Sequence, residues 1–308
     1  NTVAPSPAWL AQRECGNLFW LRVMRALSLW LGRRLSRPIL YGIALYFLLA
    51  VGKARRASRT YLSRTLGRAP GLLDIYRHFL TFASTVHDRV FLLNDRFASF
   101  KIEVVGIEQL ESAIQAQGGV FLFGAHLGSF EAIRAVARQH GRQDLRICLA
   151  MYEENARRIN GILAAINPAN APEVIPLGKL DSMLTVHHRL GEGALVGILA
   201  DRSLATDDCV SLTFMGQPAQ LAVGAFRMAA LRKRPFVFMT GLYRRSGHYE
   251  IHFEQIADFT RISPKNREAA IMQAIENYAI ALESYCHKAP LNWFNFYDFW
   301  KAPDHAQN

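Results

Sequence analysis

His126 and Glu131, the ends of the stretch His-Leu-Gly-Ser-Phe-Glu, are the two residues whose types and spacing are best suited to chemistry in this chain. An imidazole held by a carboxylate has a fixed tautomer, so it can take a proton from a hydroxyl and deliver it to a leaving group. No Ser or Cys nucleophile is needed for that. Spacing alone does not single the pair out, because His187 and Glu192 are spaced in the same way. That second pair runs off a polar helical segment into a Gly-Glu-Gly turn and reads as a solvated helix end. His126 has a different setting. Residues 120–123 form an unbroken apolar run of strand length, punctuated by Gly118, Gly119 and Gly124, as expected of a strand buried on both faces. A helical stripe follows through Phe130, Ile133, Val136 and Ala137, with Ser129 as its cap and Glu131 in its first turn. His126 thus falls where a buried strand gives way to a helix, the crevice position at which open α/β sheets bind ligands. The plain alternative is a structural histidine satisfied by its neighbour.

The elements that must position this pair alternate along the chain. Strands are expected at residues 100–105, 120–123, 145–151, 173–175, 194–199 and 235–239, and helices at 107–116, 154–166, 180–190, 224–231 and 264–287. Ser263 caps the last of these and Pro264 occupies its first position. Such alternation predicts an α/β fold with a mainly parallel central sheet flanked by helices. Asp201 and Arg202 end the strand at 194–199, which puts them in the same crevice as His126. Asp201 there either positions an acceptor hydroxyl, positions a loop arginine, or caps the strand.

Charge separates the chain into two parts. Of a net +11, residues 1–73 account for all: twelve Arg and Lys face the single acid Glu14, and the other 24 basic and 24 acidic residues cancel. Residues 38–52 carry no charge, and Arg37, Lys53, Arg55 and Arg56 bracket them. Fifteen helical residues reach only about 22 Å, short of a ~30 Å hydrocarbon core. We therefore expect residues 1–73 to be membrane-associating helices lying in one leaflet with arginines on anionic headgroups, and residues 74–308 to be the α/β domain. The arginines sit beside aliphatic runs, which argues for lipid and against nucleic acid. Cys15, Cys148, Cys209 and Cys286 show no paired spacing and read as free thiols in a reducing compartment.

The stretch from Ala125 to Glu131 resembles the HX4D/E signature of glycerolipid acyltransferases, and the longer pattern resembles the bacterial lipid A biosynthesis acyltransferase family. Ala200-Asp201-Arg202 and the later Leu212-Thr213-Phe214-Met215-Gly216-Gln217-Pro218 are similar to that family in order and spacing. The resemblance implies transfer of an acyl chain from an acyl carrier protein or coenzyme A thioester to a hydroxyl of a lipid or glycolipid, at the cytoplasmic side of the inner membrane. His126 would be the general base and Glu131 its orienting acid. Backbone N–H groups near Leu127, Gly128 and Ser129, or a nearby cation, would meet the oxyanion, with Asp201 and Arg202 as further substrate-binding residues. Family members acting on lipid A carry an arginine motif where this chain has Asn167-Pro168-Ala169-Asn170-Ala171-Pro172; Arg158, about three helical turns earlier, is the remaining candidate for a substrate anion. The aromatic run Leu291 to Trp300 resembles the ends of acyltransferases from aryl polyene and xanthomonadin pigment clusters, and forms either a lid packed on the sheet or the wall of an acyl site. No cofactor, metal or nucleotide is implied. Two other classes stay open: an inactive lipid-binding scaffold, and a hydrolase, for which the GxSxG elbow is missing.

Overall fold

The computed structural model describes residues 18–139, 141, 145–167, 171–178, 180–203 and 207–300. Four helices lead the chain: α1 (Leu18–Ser36), α2 (Pro38–Ala50), α3 (Gly52–Leu66) and α4 (Leu72–Leu93). Then come β1 (Lys101–Val105), α5 (Ile107–Gln117), β2 (Val120–Gly124), α6 (Ile133–Gln139), β3 (Ile147–Tyr152), α7 (Glu153–Ile166), β4 (Glu173–Leu177), α8 (Leu180–Gly191) and β5 (Leu195–Leu199). A hairpin of β6 (Cys209–Phe214) and β7 (Gln217–Ala222), α9 (Gly224–Leu231), β8 (Pro235–Arg245), β9 (His248–Asp258) and α10 (Arg267–Lys288) complete it.

The main sheet has seven strands in the order β1-β9-β8-β2-β5-β3-β4. Strands β8, β2, β5, β3 and β4 are parallel, while β9 runs antiparallel to β8 and carries β1 beside it. This is the mainly parallel α/β fold expected. Every residue of β2 is buried, as its unbroken apolar sequence requires of a strand covered on both faces. The edge is mixed because β8 continues into a hairpin with β9, a strand not anticipated above. Tyr249, Ile251 and Phe253 on one side are buried, while on the other Glu254 is exposed and Glu250 is half-buried against Arg244.

The N-terminal helices are not a detached appendage. Arg33 of α1 makes a bidentate pair with Asp88 of α4, Nε to Oδ1 at 2.7 Å and Nη2 to Oδ2 at 2.9 Å, and Asp88 is fully buried. Tyr249 of β9 donates to the same carboxylate, and Arg33 Nη1 donates to the Ser246 carbonyl. A kink at Gly32, where φ is 78°, turns Arg33 inward, and Gly247 leaves room for it, since a Cβ there would lie 2.8 Å from the guanidinium carbon. Helix α2 is two-faced. Leu40, Ala44 and Leu48 pack inward, whereas Ile39, Tyr41, Leu45, Tyr46 and Leu49 are exposed. No single described helix is long and apolar enough to cross a membrane; α2 and α3 together have the composition but meet at 95°.

Candidate active site

The parallel register of β2 and β5 builds the site. Gly124 lies opposite Leu199, and the Ala200 N–H donates to the Gly124 carbonyl at 3.0 Å. Two residues farther along each chain, His126 and Asp201 come side by side at the carboxyl ends of the two strands, the crevice predicted for this architecture. Asp201 Oδ2 accepts from the His126 backbone N–H at 3.0 Å, and Oδ1 lies 2.8 Å from the ring Nδ1.

The C-terminal segment closes over this pair. Trp293 Nε1 donates to Asp201 Oδ2 at 2.9 Å and Asn295 Nδ2 at 2.8 Å. Phe294 donates its N–H to the His126 carbonyl at 2.7 Å, and Leu127 bridges Trp293 as in an antiparallel ladder. Burial by itself would push the Asp201 carboxyl up. The His126 charge and hydrogen bonds, with Arg202 nearby, outweigh burial and hold it well below the usual carboxylate range. An ionised carboxylate only accepts, so the proton between the pair belongs to His126 Nδ1, and Nε2 carries the basic lone pair. The imidazole is 28% exposed and Asp201 0%, so the ring is the member of the pair that a substrate can reach.

Several expectations change in this setting. Asp201, assigned to substrate binding from sequence, is sealed beneath the ring with both oxygens engaged by protein donors. Glu131, expected to hold the ring, has Arg89 of α4 at 2.7 Å from Oε1 and accepts from Ser129 Oγ through Oε2. Ser129 therefore does not cap the following turn with its side chain; a short 3-10 turn at Phe130–Ala132 leads into α6 instead. The Gly128 N–H donates to the Asn292 carbonyl at 2.9 Å and the Ser129 N–H to the Gly241 carbonyl at 2.8 Å. Both groups are committed to the turn, which removes them from an oxyanion hole. Leu127 is buried, its carbonyl accepting from Thr240. Glycine is required at 128: φ is 73°, and a Cβ would collide with the Gly241 carbonyl.

Arg202 projects its Nε to Asn295 Oδ1 at 2.8 Å and lies over the Tyr297 ring. Arg158 is on α7, its side chain outside the described residues, as are positions 168–170 of the loop that replaces the arginine motif. His187 and Glu192 lie on an exposed helix end, as anticipated. Cys148, Cys209 and Cys286 are free thiols, and Cys15 lies outside the described residues.

The aromatic run is a packed lid. Trp293 stacks edge-on with Phe214, Tyr61 and Phe299, while Phe294 and Phe296 pack on Phe82 and Phe79 of α4. His78, buried in α4, supports it from below with Nε2 2.9 Å from the Trp293 carbonyl and Nδ1 2.9 Å from Ser58 Oγ. Burial pushes the His78 imidazole down to about 4. The neutral ring therefore donates from Nε2 to the carbonyl and accepts from Ser58.

The model of one family, bacterial lipid A biosynthesis acyltransferase, matches residues 6–302, nearly the whole chain. The chain belongs to that family. No curated protein matches it. The lipid acyltransferase fold thus includes the N-terminal helices and the C-terminal lid, which the family match covers along with the sheet. Membership makes the protein an acyltransferase enzyme that uses an acyl donor and a lipid acceptor. Sequence reasoning missed Trp293, Asn295 and Asn292 as parts of this acyltransferase's crevice. Their signal was two asparagines inside a run otherwise apolar and aromatic, since buried amides must find partners.

Proposed function

We propose that the protein is a membrane-associated O-acyltransferase that moves a fatty or aryl polyene acyl chain from an acyl thioester, on acyl carrier protein or coenzyme A, to a hydroxyl of a lipid or glycolipid. The observation that carries the chemistry is the 2.8 Å approach of His126 Nδ1 to the buried Asp201 carboxylate. With Nδ1 fixed as the donor, Nε2 takes the proton of the acceptor hydroxyl as its oxygen attacks the thioester carbonyl. The resulting imidazolium is stabilised by Asp201. Collapse of the tetrahedral intermediate breaks the C–S bond, and the proton passes from His126 to the departing thiolate. We assign Arg202, which lies beside Asp201 in the crevice, to meet the oxyanion. Glu131 braces the turn bearing His126 through Arg89 and Ser129. No acyl-enzyme intermediate and no cofactor enter this scheme.

The membrane reading is supported by the exposed apolar face of α1 and α2. Trp30 is 82% exposed, Leu35 70% and Leu49 67%, with Arg34, Lys53 and Arg56 also exposed. Exposed apolar side chains with exposed cations on the same leading helices suit an anionic bilayer surface, entered to the depth of the side chains. On this reading the enzyme works at the cytoplasmic face of the inner membrane, where its acceptor is held.

Transfer from acyl carrier protein or coenzyme A to extracted lipid, followed by mass spectrometry, tests the chemistry. We expect His126→Ala to lower turnover at least a hundredfold, and undiminished turnover would end the proposal. Flotation with anionic vesicles at low salt tests the anchor; protein that stays wholly at the bottom of the gradient contradicts it.

A further inference from the structure

We propose that Trp293 and Asn295 are positioning residues for the reaction, a C-terminal strap that holds the Asp201 carboxylate in the plane from which it orients His126. The inference rests on the reading of His126 as the base. Asp201 Oδ2 receives three donors: the His126 backbone N–H, Trp293 Nε1 and Asn295 Nδ2, at 3.0, 2.9 and 2.8 Å. Oδ1 is thereby aimed at the ring alone. A carboxylate held by one donor can rotate about its Cβ–Cγ bond; one pinned by three cannot without breaking charge-assisted bonds.

Asn295 does more than donate. Its Oδ1 accepts from Arg202 Nε at 2.8 Å, so one amide, 2% exposed, links the anion under the ring to the guanidinium beside it. That double engagement also fixes which way the amide faces, nitrogen to Asp201 and oxygen to Arg202. Trp293 is anchored independently, its carbonyl accepting from His78 and its ring packed on Tyr61 and Phe214. Phe294 between them donates to the His126 carbonyl. Alternate residues of an extended strap thus supply the donors, and the residue between them fixes the strap to the histidine's own backbone.

Other groups face the same anion. Arg202 lies beside it, Tyr278 and Cys286 approach from α10, and Tyr297 belongs to the strap; of these only Arg202 carries charge near neutral pH. Loss of a neutral donor leaves more of the carboxylate's negative potential on the imidazole, which raises its affinity for a proton.

The test uses full-length Trp293→Phe and Asn295→Leu proteins, with folding checked by circular dichroism. The His126 ring is followed by nitrogen-15 histidine NMR, its resonance assigned with His126→Gln. In each variant we expect the His126 titration to move up by about half a unit or more, kcat to fall roughly tenfold and KM to stay within twofold. A His126 titration superimposable on the parent's in either folded variant, whatever happens to turnover, overturns the positioning role. A shifted titration with unchanged turnover keeps that role and counts against His126 as the base, so the two readings fail separately.

Discussion

Asp201→Asn is the most informative single change at this site, because it keeps shape and removes only charge and one acceptor. The new side chain has one oxygen and one NH2, and the surroundings decide which goes where. Three donors converge on the Oδ2 position and one on Oδ1, so the amide oxygen takes the Oδ2 place and the NH2 faces His126. Nδ1 must then accept, its proton moves to Nε2, and the lone pair needed for the hydroxyl is gone. A misassigned tautomer removes general-base catalysis, worth about 10²–10⁴ in rate, or roughly 3–5 kcal/mol of barrier. Folding should survive, since the three converging donors keep an oxygen, whereas Asp201→Ala would strip a fully buried cluster of its acceptor. The assay is acyl transfer to lipid at saturating donor, beside histidine NMR, in which the neutral ring should switch from the Nδ1–H to the Nε2–H form. Turnover within threefold of the parent, with the Nδ1–H tautomer retained, would refute the reasoning.

Gly128→Ala should lose at least about 2 kcal/mol of stability and more than tenfold in turnover, because the left-handed backbone and the Gly241 carbonyl both oppose a Cβ where the turn sets His126; thermal unfolding and the transfer assay read the two effects. Arg33→Leu leaves Asp88 buried without its cation and should cost about 3–5 kcal/mol in denaturant titrations, with part recovered when Asp88→Leu is added. Recovery would be absent if α1 were a loosely attached anchor. His78 predicts a pH dependence. Its folded value, about 4, is below the unfolded ~6.5, so the unfolded chain binds more protons between these values, and stability falls as pH drops through that window. The full loss is about 3 kcal/mol, and His78→Gln should flatten the melting temperature against pH between 6.5 and 4 relative to the parent.

What could be read from the residues was whatever depends on neighbours in the chain. The apolar run of β2 follows from local composition and punctuation and stands in the structure as expected, whereas the helix expected to open at Ser263-Pro264 begins later: Pro264–Asn266 form a 3-10 turn that Ser263 does not cap with its side chain, and α10 starts at Arg267. The partner of the histidine's Nδ1 did not follow, because it lies 75 positions away. Glu131 is close in sequence, but between it and His126 the chain passes through left-handed Gly128 and a 3-10 turn, which presents its carboxylate to Arg89 of α4. Asp201 reaches the ring only because β5 pairs with β2 across a sheet in which β3 and β4 lie farther out, and strand order is not written in any local window.

The C-terminal strap is a different case, since a rule applied to its residues could have found it. Leu291 to Trp300 is too aromatic to lie in water, and burying it also buries the amides of Asn292 and Asn295 and the indole N–H of Trp293. Each then needs a partner. Asn292 finds one in the backbone of Tyr243, bonding both its N–H and its carbonyl, as an amide facing a strand can. Asn295 and Trp293 both present donors at alternate positions of one extended face, so together they require an acceptor with more than one free lone pair. A carboxylate meets that requirement best. Asp201 was the one acid already assigned from sequence to the end of a buried strand in the crevice. The polar residues of the lid therefore pointed to the anion beneath the histidine, and the anion in turn fixes which ring nitrogen is the base.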